Sequence, residues 1–239
     1  MTKYLIMVNI NRHRFFLVQI LKEIYSDLEL ANYLGFKGGT AMMFFYDLPR
    51  FSVDLDFDLL NADKEELVFK KVRQIILNHG TIYDEAVKFF GPLIVLDYGI
   101  GERKLKVEIS NRIFDNRYEI KNLFGFNVRV MVESDMFAHK LCALLDRDSS
   151  TNRDVFDTWF FLKRQTPINK DIIEFRMKTT YPDYIEACIK HLESFKSKGL
   201  LDGLGELMED EIKQFVRTKL LEETINLLKY YRKFPILSK

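Results

Sequence analysis

From Phe51 to Leu59 the chain reads FSVDLDFDL, with Val53, Leu55 and Phe57 alternating with Asp54, Asp56 and Asp58. A period of two predicts a half-buried strand over 51–59, apolar residues toward the core and carboxylates on the other face. Same-side neighbours on a strand lie about 6.5–7 Å apart. Carboxylates that close repel unless water or a cation lies between them. Oxygen-only ligands at this spacing suit a hard divalent ion such as Mg2+, which also takes up substrate phosphates.

Upstream, Gly38-Gly39-Thr40 precedes an apolar run, Ala41 to Tyr46, that reads as a helix. A glycine turn at a helix start brings backbone N–H groups close to a phosphate, and the helix dipole favours the anion. Alone, the glycines would be an ordinary turn and the aspartates a solvated strand face. Together, about fifteen residues apart, they describe a nucleotide site that would take an NTP. Arg50 fits either a bidentate phosphate contact or an ion pair with Asp47 or Asp54. Asp58 fits either a residue that orients a ligand or a solvated strand end.

GGT followed by RFSVDLDFD resembles motif I of the DNA polymerase beta-like nucleotidyltransferases, which implies Asp54 and Asp56 as the residues that hold Mg2+. The spelling LPRFSVDLDFD is similar to the AbiEii-type toxins of type IV toxin–antitoxin and abortive-infection systems. The resemblance runs from about residue 36 to about residue 165. It implies an α+β nucleotidyltransferase core, a mixed sheet with helices, followed by a helical C-terminal domain. It also implies Mg2+-dependent transfer of NMP from an NTP to an acceptor such as an RNA (a tRNA end), in a toxin neutralised by a cognate antitoxin. In that family a serine at the place of Ser52 belongs to the active site.

Further motifs extend the likeness. In 103–110 Leu105, Val107 and Ile109 alternate inward, and Lys106, Glu108 and Ser110 share the other face. Glu108 can thus face Asp54 and Asp56 from an adjacent strand. The superfamily has a third carboxylate on such a strand, usually Asp, that completes the metal site or takes the proton of the attacking hydroxyl. The family pattern KxxALxxR…RDxxDxxxL matches Lys140, Ala143, Leu144, Arg147, Arg153, Asp154, Asp157 and Leu162. There the lysine contacts nucleotide phosphate, and the RDxxD carboxylates support or join the active site. Lys140, Leu144 and Arg147 fall on one helix face, so Lys140 and Arg147 can point together. Arg153 and Asp157, spaced i,i+4, are equally a helix ion pair.

Elsewhere, Phe16, Ile20, Ile24 and Leu28 predict a helix over 11–32, and Asp63 to His79 a second, capped by Asp63. Strands are expected over 87–98, 103–110 and 126–132, and helices from 133 onward, including a long one through Ile212, Phe215, Val216 and Leu220 to Tyr231. The domains read as 1–132, the nucleotidyltransferase core, and 133–239, helical. A net charge of +1 argues against a large non-specific nucleic-acid surface. Cys142 and Cys188 read as core residues, and the four histidines form no metal-ligand pair. No apolar run reaches the 18 residues of a membrane span, and MTKYLIMV lacks a signal peptide's long apolar stretch. The expectation is a cytoplasmic enzyme. A nucleotide- or partner-binding module on the same fold, and NMP transfer to a protein side chain, are the alternatives.

Overall fold

A helix early in the chain shows how local chemistry sets the elements. His13, Leu17, Ile20, Leu21 and Ile24 form the buried face of α1 (Ile10–Ser26). The predicted continuation to residue 32 does not occur. Asp27 is extended and its carboxylate accepts the N–H groups of Glu29 and Leu30. It thereby starts a new helix, α2 (Leu28–Tyr33), and leaves Leu28 exposed. The computed structural model describes residues 9–146, 152–195, 201, 203–204 and 208–238. Arg147 and the N-terminal MTKYLIMV lie outside the described residues.

By their contacts the residues form two compact units. The first, through Asp47 with Phe51–Ile113 and Tyr118–Met131, carries the sheet. After α2 come β1 (Leu34–Lys37), α3 (Gly38–Phe45), β2 (Leu55–Leu59), α4 (Glu65–Leu77), β3 (Thr81–Lys88), β4 (Gly91–Asp97), β5 (Leu105–Ser110), β6 (Tyr118–Leu123) and β7 (Phe126–Met131). The strand order is β3-β4-β5-β2-β1-β7-β6. β2 runs antiparallel to β1 and parallel to β5, and β1 runs parallel to β7. One sheet face is apolar: Phe36, Leu55, Phe57, Ile94, Leu96, Val107, Ile109 and Val130 are all buried. Each such side chain contributes roughly 1.5–3 kcal/mol by leaving water.

Three expectations change in detail. The acidic strand begins at Leu55, not at residue 51, so Ser52 and Asp54 lie in the buried approach to it. Asp63 does not cap a long helix. Asn61 caps a single 3-10 turn, Ala62–Lys64, that leads into α4. β3 and β6 were not foreseen; they are the two sheet edges, where exposure blurs the alternation.

The second unit, Leu48–Arg50, Phe114–Arg117 and Val132 onward, is helical. It contains α5 (Glu133–Cys142), α6 (Asn152–Lys163), α7 (Lys170–Met177), α8 (Tyr181–Glu193), α9 (Asp210–Thr218) and α10 (Leu220–Lys233). The expected single helix to Tyr231 is broken between α9 and α10 at Lys219 (φ −132°, ψ −24°). Cys142 and Cys188 are buried free thiols. The fold is the expected mixed sheet with helices and a helical C-terminal part.

Gly35 on β1 lies against Tyr118, so that a Cβ there would overlap the phenol ring. Gly35→Ala should therefore destabilise the protein by about 1–3 kcal/mol, the scale of overpacking, measured by urea unfolding. The same substitution should cost less in a Tyr118→Leu background, where the overlap is gone, read as a double-mutant cycle.

Candidate active site

The sheet face opposite the core carries the charges. Asp56 sits between two neighbours in register, Lys37 on β1 and Glu108 on β5. Asp54 precedes β2, and its backbone is tied down on two sides. The Thr40 hydroxyl donates to the Asp54 carbonyl. His13 lies beside the Val53 carbonyl through Nε2 at 2.8 Å and beside the Tyr98 hydroxyl through Nδ1 at 2.6 Å. With Nε2–H donating to Val53 and Nδ1 accepting from Tyr98, the ring is neutral. Burial pushes its pKa down, in keeping with that state. His13 thus acts as a buried anchor for the approach to the acidic strand.

Asp58 is not a solvated strand end. It is buried, accepts from the Tyr118 hydroxyl at 2.7 Å and pairs with Lys37. Lys37 is therefore largely committed to Asp58. The nearest ammonium for the other carboxylates is Lys106, 3.0 Å from Glu108 and 3.9 Å from Asp54. Lys106 is thus divided between two carboxylates, and Lys37 between Asp58 and its register neighbour Asp56. Burial raises the Asp56 pKa, the Asp54 and Glu108 charges raise it further, and Lys106 and Lys37 only partly oppose them; it is pushed up to about 6. Burial acts on Glu108 in the same sense, but Lys106, Lys37 and Arg112 outweigh it and hold that carboxyl below its usual range.

Among the described residues no three His, Cys, Asp or Glu side chains gather closely enough to hold a metal ion by themselves. A Mg2+ site does not require that. One or two carboxylates, with phosphate oxygens and water, are its common protein share. The under-neutralised, all-oxygen pair Asp54 and Asp56 fits such an ion. Gly38 has φ +79°, and a Cβ there would overlap the Asp56 carboxylate. Glycine is thus required both by the backbone and by the carboxylate, and α3 starts directly against the acidic strand. Gly39 and Thr40 complete its first turn, both buried.

The remaining candidates lie in the second unit. Arg50 donates to both oxygens of Asp157, through Nε at 2.7 Å and Nη2 at 2.6 Å. Lys140 on α5 adds a contact of 2.7 Å to Asp157 and lies 3.8 Å from Asp154. Arg50 thus pairs with Asp157, not with Asp47 or Asp54. Burial alone would raise the Asp157 pKa, but Arg50 and Lys140 overcome it and bring it down to about 2. α5 ends at Cys142, so the helical face proposed to run from Lys140 to Arg147 stops short. Sequence reasoning placed Lys106 on the correct face without giving it a role. Its i,i+2 spacing from Glu108 was the available signal.

The AbiEii model, described as a nucleotidyl transferase toxin of type IV toxin–antitoxin systems, matches residues 19–229. The chain belongs to the AbiEii nucleotidyltransferase toxin family. It is a nucleotidyltransferase, and family membership implies a nucleotide substrate, a toxin role and a cognate antitoxin. Several solved structures share the fold, two of them as follows. MenT4, a nucleotidyltransferase toxin from Mycobacterium tuberculosis, is 17% identical with a TM-score of 0.65, over 92% of this chain and 84% of that one. JHP933 from Helicobacter pylori is 22% identical with a TM-score of 0.61, over 94% and 92%. No curated protein matches the chain in sequence. Among the described residues no helix of this AbiEii-family chain is long and apolar enough to cross a membrane.

Two outcomes follow from the charges. Asp157→Ala leaves Arg50 and Lys140 without their shared carboxylate, and should cost about 3–5 kcal/mol in urea unfolding near neutral pH. The Asp157 pKa is lowered in the fold, so its contribution is present above pH 4 and is lost as pH falls toward 2. Wild type and variant should converge there. Asp56 has the opposite sign. Its folded pKa is raised, so stability falls as pH rises from about 4 to about 6. Asp56→Asn should remove this slope and raise stability at neutral pH by on the order of 2 kcal/mol, read from melting curves between pH 4 and 8.

Proposed function

We propose that this enzyme transfers NMP from an NTP to the hydroxyl of an RNA acceptor, a tRNA end being the expected kind, with Mg2+ as cofactor. The observation that carries the reading is Asp56, a carboxylate kept short of positive charge between Asp54 and Glu108 and directly against the glycine turn of α3. That arrangement suits a triphosphate that arrives with its own cation. The cytoplasm is the compartment this reading requires.

In this reading the acceptor oxygen attacks the α-phosphorus, a new P–O bond forms, and the bond to the bridging oxygen breaks to release pyrophosphate. Asp54 and Asp56 would hold the ion, which when bound offsets the charge of the phosphates. Backbone N–H groups of Gly38, Gly39 and Thr40 cradle the β- and γ-phosphates, since the Thr40 side chain is spent on the Asp54 carbonyl. Glu108 accepts the hydroxyl proton. It is ionised at neutral pH and half-exposed, whereas Asp157 is buried under two cations and is a poor base. Ser52, buried at the approach to β2, supports Asp54. By the family motif Lys140, Arg50 and Arg147 would be phosphate-binding residues, and within the second unit Asp157 orients Arg50 and Lys140, with Asp154 beside Lys140. These last roles rest on the sequence motif. A cognate antitoxin silences the activity.

The test incubates wild type and Asp54→Ala with Mg2+, each of four α-32P-labelled NTPs, total bacterial RNA and lysate protein. Label should enter a small RNA and fall by at least about a thousandfold in the variant, whose melting temperature should stay near that of wild type. An equally active variant would sink the mechanism. Label confined to protein would replace the acceptor class. Mg2+ should also raise the wild-type melting temperature at pH 7.5 and leave that of the variant nearly unchanged.

A further inference from the structure

Two phenylalanines occupy the tip of the β3–β4 hairpin, where nothing in the fold asks for them. Lys88 pairs with Gly91, so the loop between the strands is Phe89-Phe90. Such turns favour Gly, Asn, Asp or Ser. Here the left-handed residue the turn needs is supplied by Gly91, at φ +108°, where a Cβ would strike the Ile109 carbonyl. The turn therefore does not depend on aromatic side chains. Neither does the core, because Phe89 is 87% exposed and Phe90 54%. Exposed apolar residues gathered into a patch, unlike those scattered singly, point to an interaction site.

The tip is fixed, and it is fixed to the strand that bears Glu108. The Asn111 backbone N–H donates to the Phe90 carbonyl at 3.1 Å, one residue past the end of β5. The rings of Phe89 and Phe90 meet edge to face, centroids 4.9 Å apart. The Arg112 guanidinium lies 5.0 Å over the Phe90 ring, and its Nε is 3.4 Å from the Ser110 hydroxyl. Arg112 also helps hold the Glu108 carboxyl below its usual range, so its charge reaches the candidate site. Strand register puts Lys88 on the sheet face of Glu108, by way of Leu93 and Ala86. Residues 86–96 and 109–114 contain no Asp or Glu. The nearby Glu65 accepts from the Asn111 side chain at 2.9 Å.

We propose that Phe89 and Phe90, with Arg112 and Lys88, form a stacking platform for the unpaired end of the acceptor RNA. Charge complementarity and ring chemistry select that occupant. Single-stranded RNA is gripped by bases stacking on aromatic and guanidinium planes, with cations on the phosphates. The platform rests on the RNA-acceptor reading above and deepens it by naming where the acceptor strand lies. It works beside Glu108 and leaves the nucleotide's own contacts at Gly38–Thr40 untouched.

The experiment measures initial rates of label transfer by the full-length protein, varying first the RNA that wild type labels and then the NTP. Phe89→Ala/Phe90→Ala should raise the KM for RNA at least about tenfold, the scale of one lost base–aromatic stack. The KM for NTP and the melting temperature should stay as in wild type. Phe89→Trp/Phe90→Trp, which keeps the ring faces, should bind RNA like wild type. An unchanged KM for RNA in the alanine variant, or a change in the KM for NTP alone, would overturn the platform. Transfer by the wild-type protein to protein alone would overturn the RNA reading itself, and the platform with it.

Discussion

The charge imbalance around Asp56 governs the first unit. Asp54, Asp56 and Glu108 lie together, Lys106 is paired with Glu108 and approaches Asp54, and Lys37, which also acts on Asp56, is bound to Asp58. The strands cannot move apart to relieve the repulsion. β2 is hydrogen-bonded to β1 on one side and to β5 on the other, and Leu55, Phe57, Val107 and Ile109 fasten its reverse face into the core. Taking up a proton is the relief the fold leaves open, and the Asp56 pKa is accordingly pushed up to about 6. A rigid apolar scaffold thus keeps an electrostatic conflict in place, as expected where function sets the arrangement at a cost in stability.

Two other carboxylates show that this conflict is local. Asp58 is two residues further along the same strand and more deeply buried, yet it has both a lysine and a phenol. Asp157 is fully buried and has a bidentate arginine and a lysine. At both sites burial is offset by paired charge, by the rule that buried charges are paired. Asp56 departs from that rule, and it does so where a glycine with positive φ brings a helix start against its carboxylate.

How much of this was legible in the sequence follows from the same physics. β2 could be read because its two faces meet different surroundings, one core and one charged, which produces a sharp period of two. β3 and β6 could not, because edge strands meet water on more than one side. The early start assigned to β2 has a related cause. Phe51 and Val53 are buried by packing without belonging to the ladder, and burial pattern alone does not separate the two cases. The helix breaks at Asp27 and Lys219 interrupt stripes that periodicity joined, since one non-helical residue costs the hydrophobic pattern little. The pairing of Arg50 with Asp157 spans 107 positions. Sequence proximity offered Asp47, Asp54 and an i,i+4 Arg153 instead, and long-range ion pairs leave no local periodic trace.

The glutamate at 108, where the superfamily usually has aspartate, gains a physical role from Lys106. Same-face residues at i and i+2 on a strand start about 6.5–7 Å apart. A long lysine and a glutamate close that gap to 3.0 Å, whereas the shorter aspartate stem would leave the carboxylate further from Nζ. Lys106 is accordingly closer to Glu108 than to Asp54, which it approaches only to 3.9 Å. The extra methylene therefore divides one positive charge unevenly. In the proposed mechanism Glu108, held ionised, would accept the proton, and the Asp54–Asp56 pair would accept the cation. Replacing Glu108 by Asp would even out that division, and both properties would weaken together.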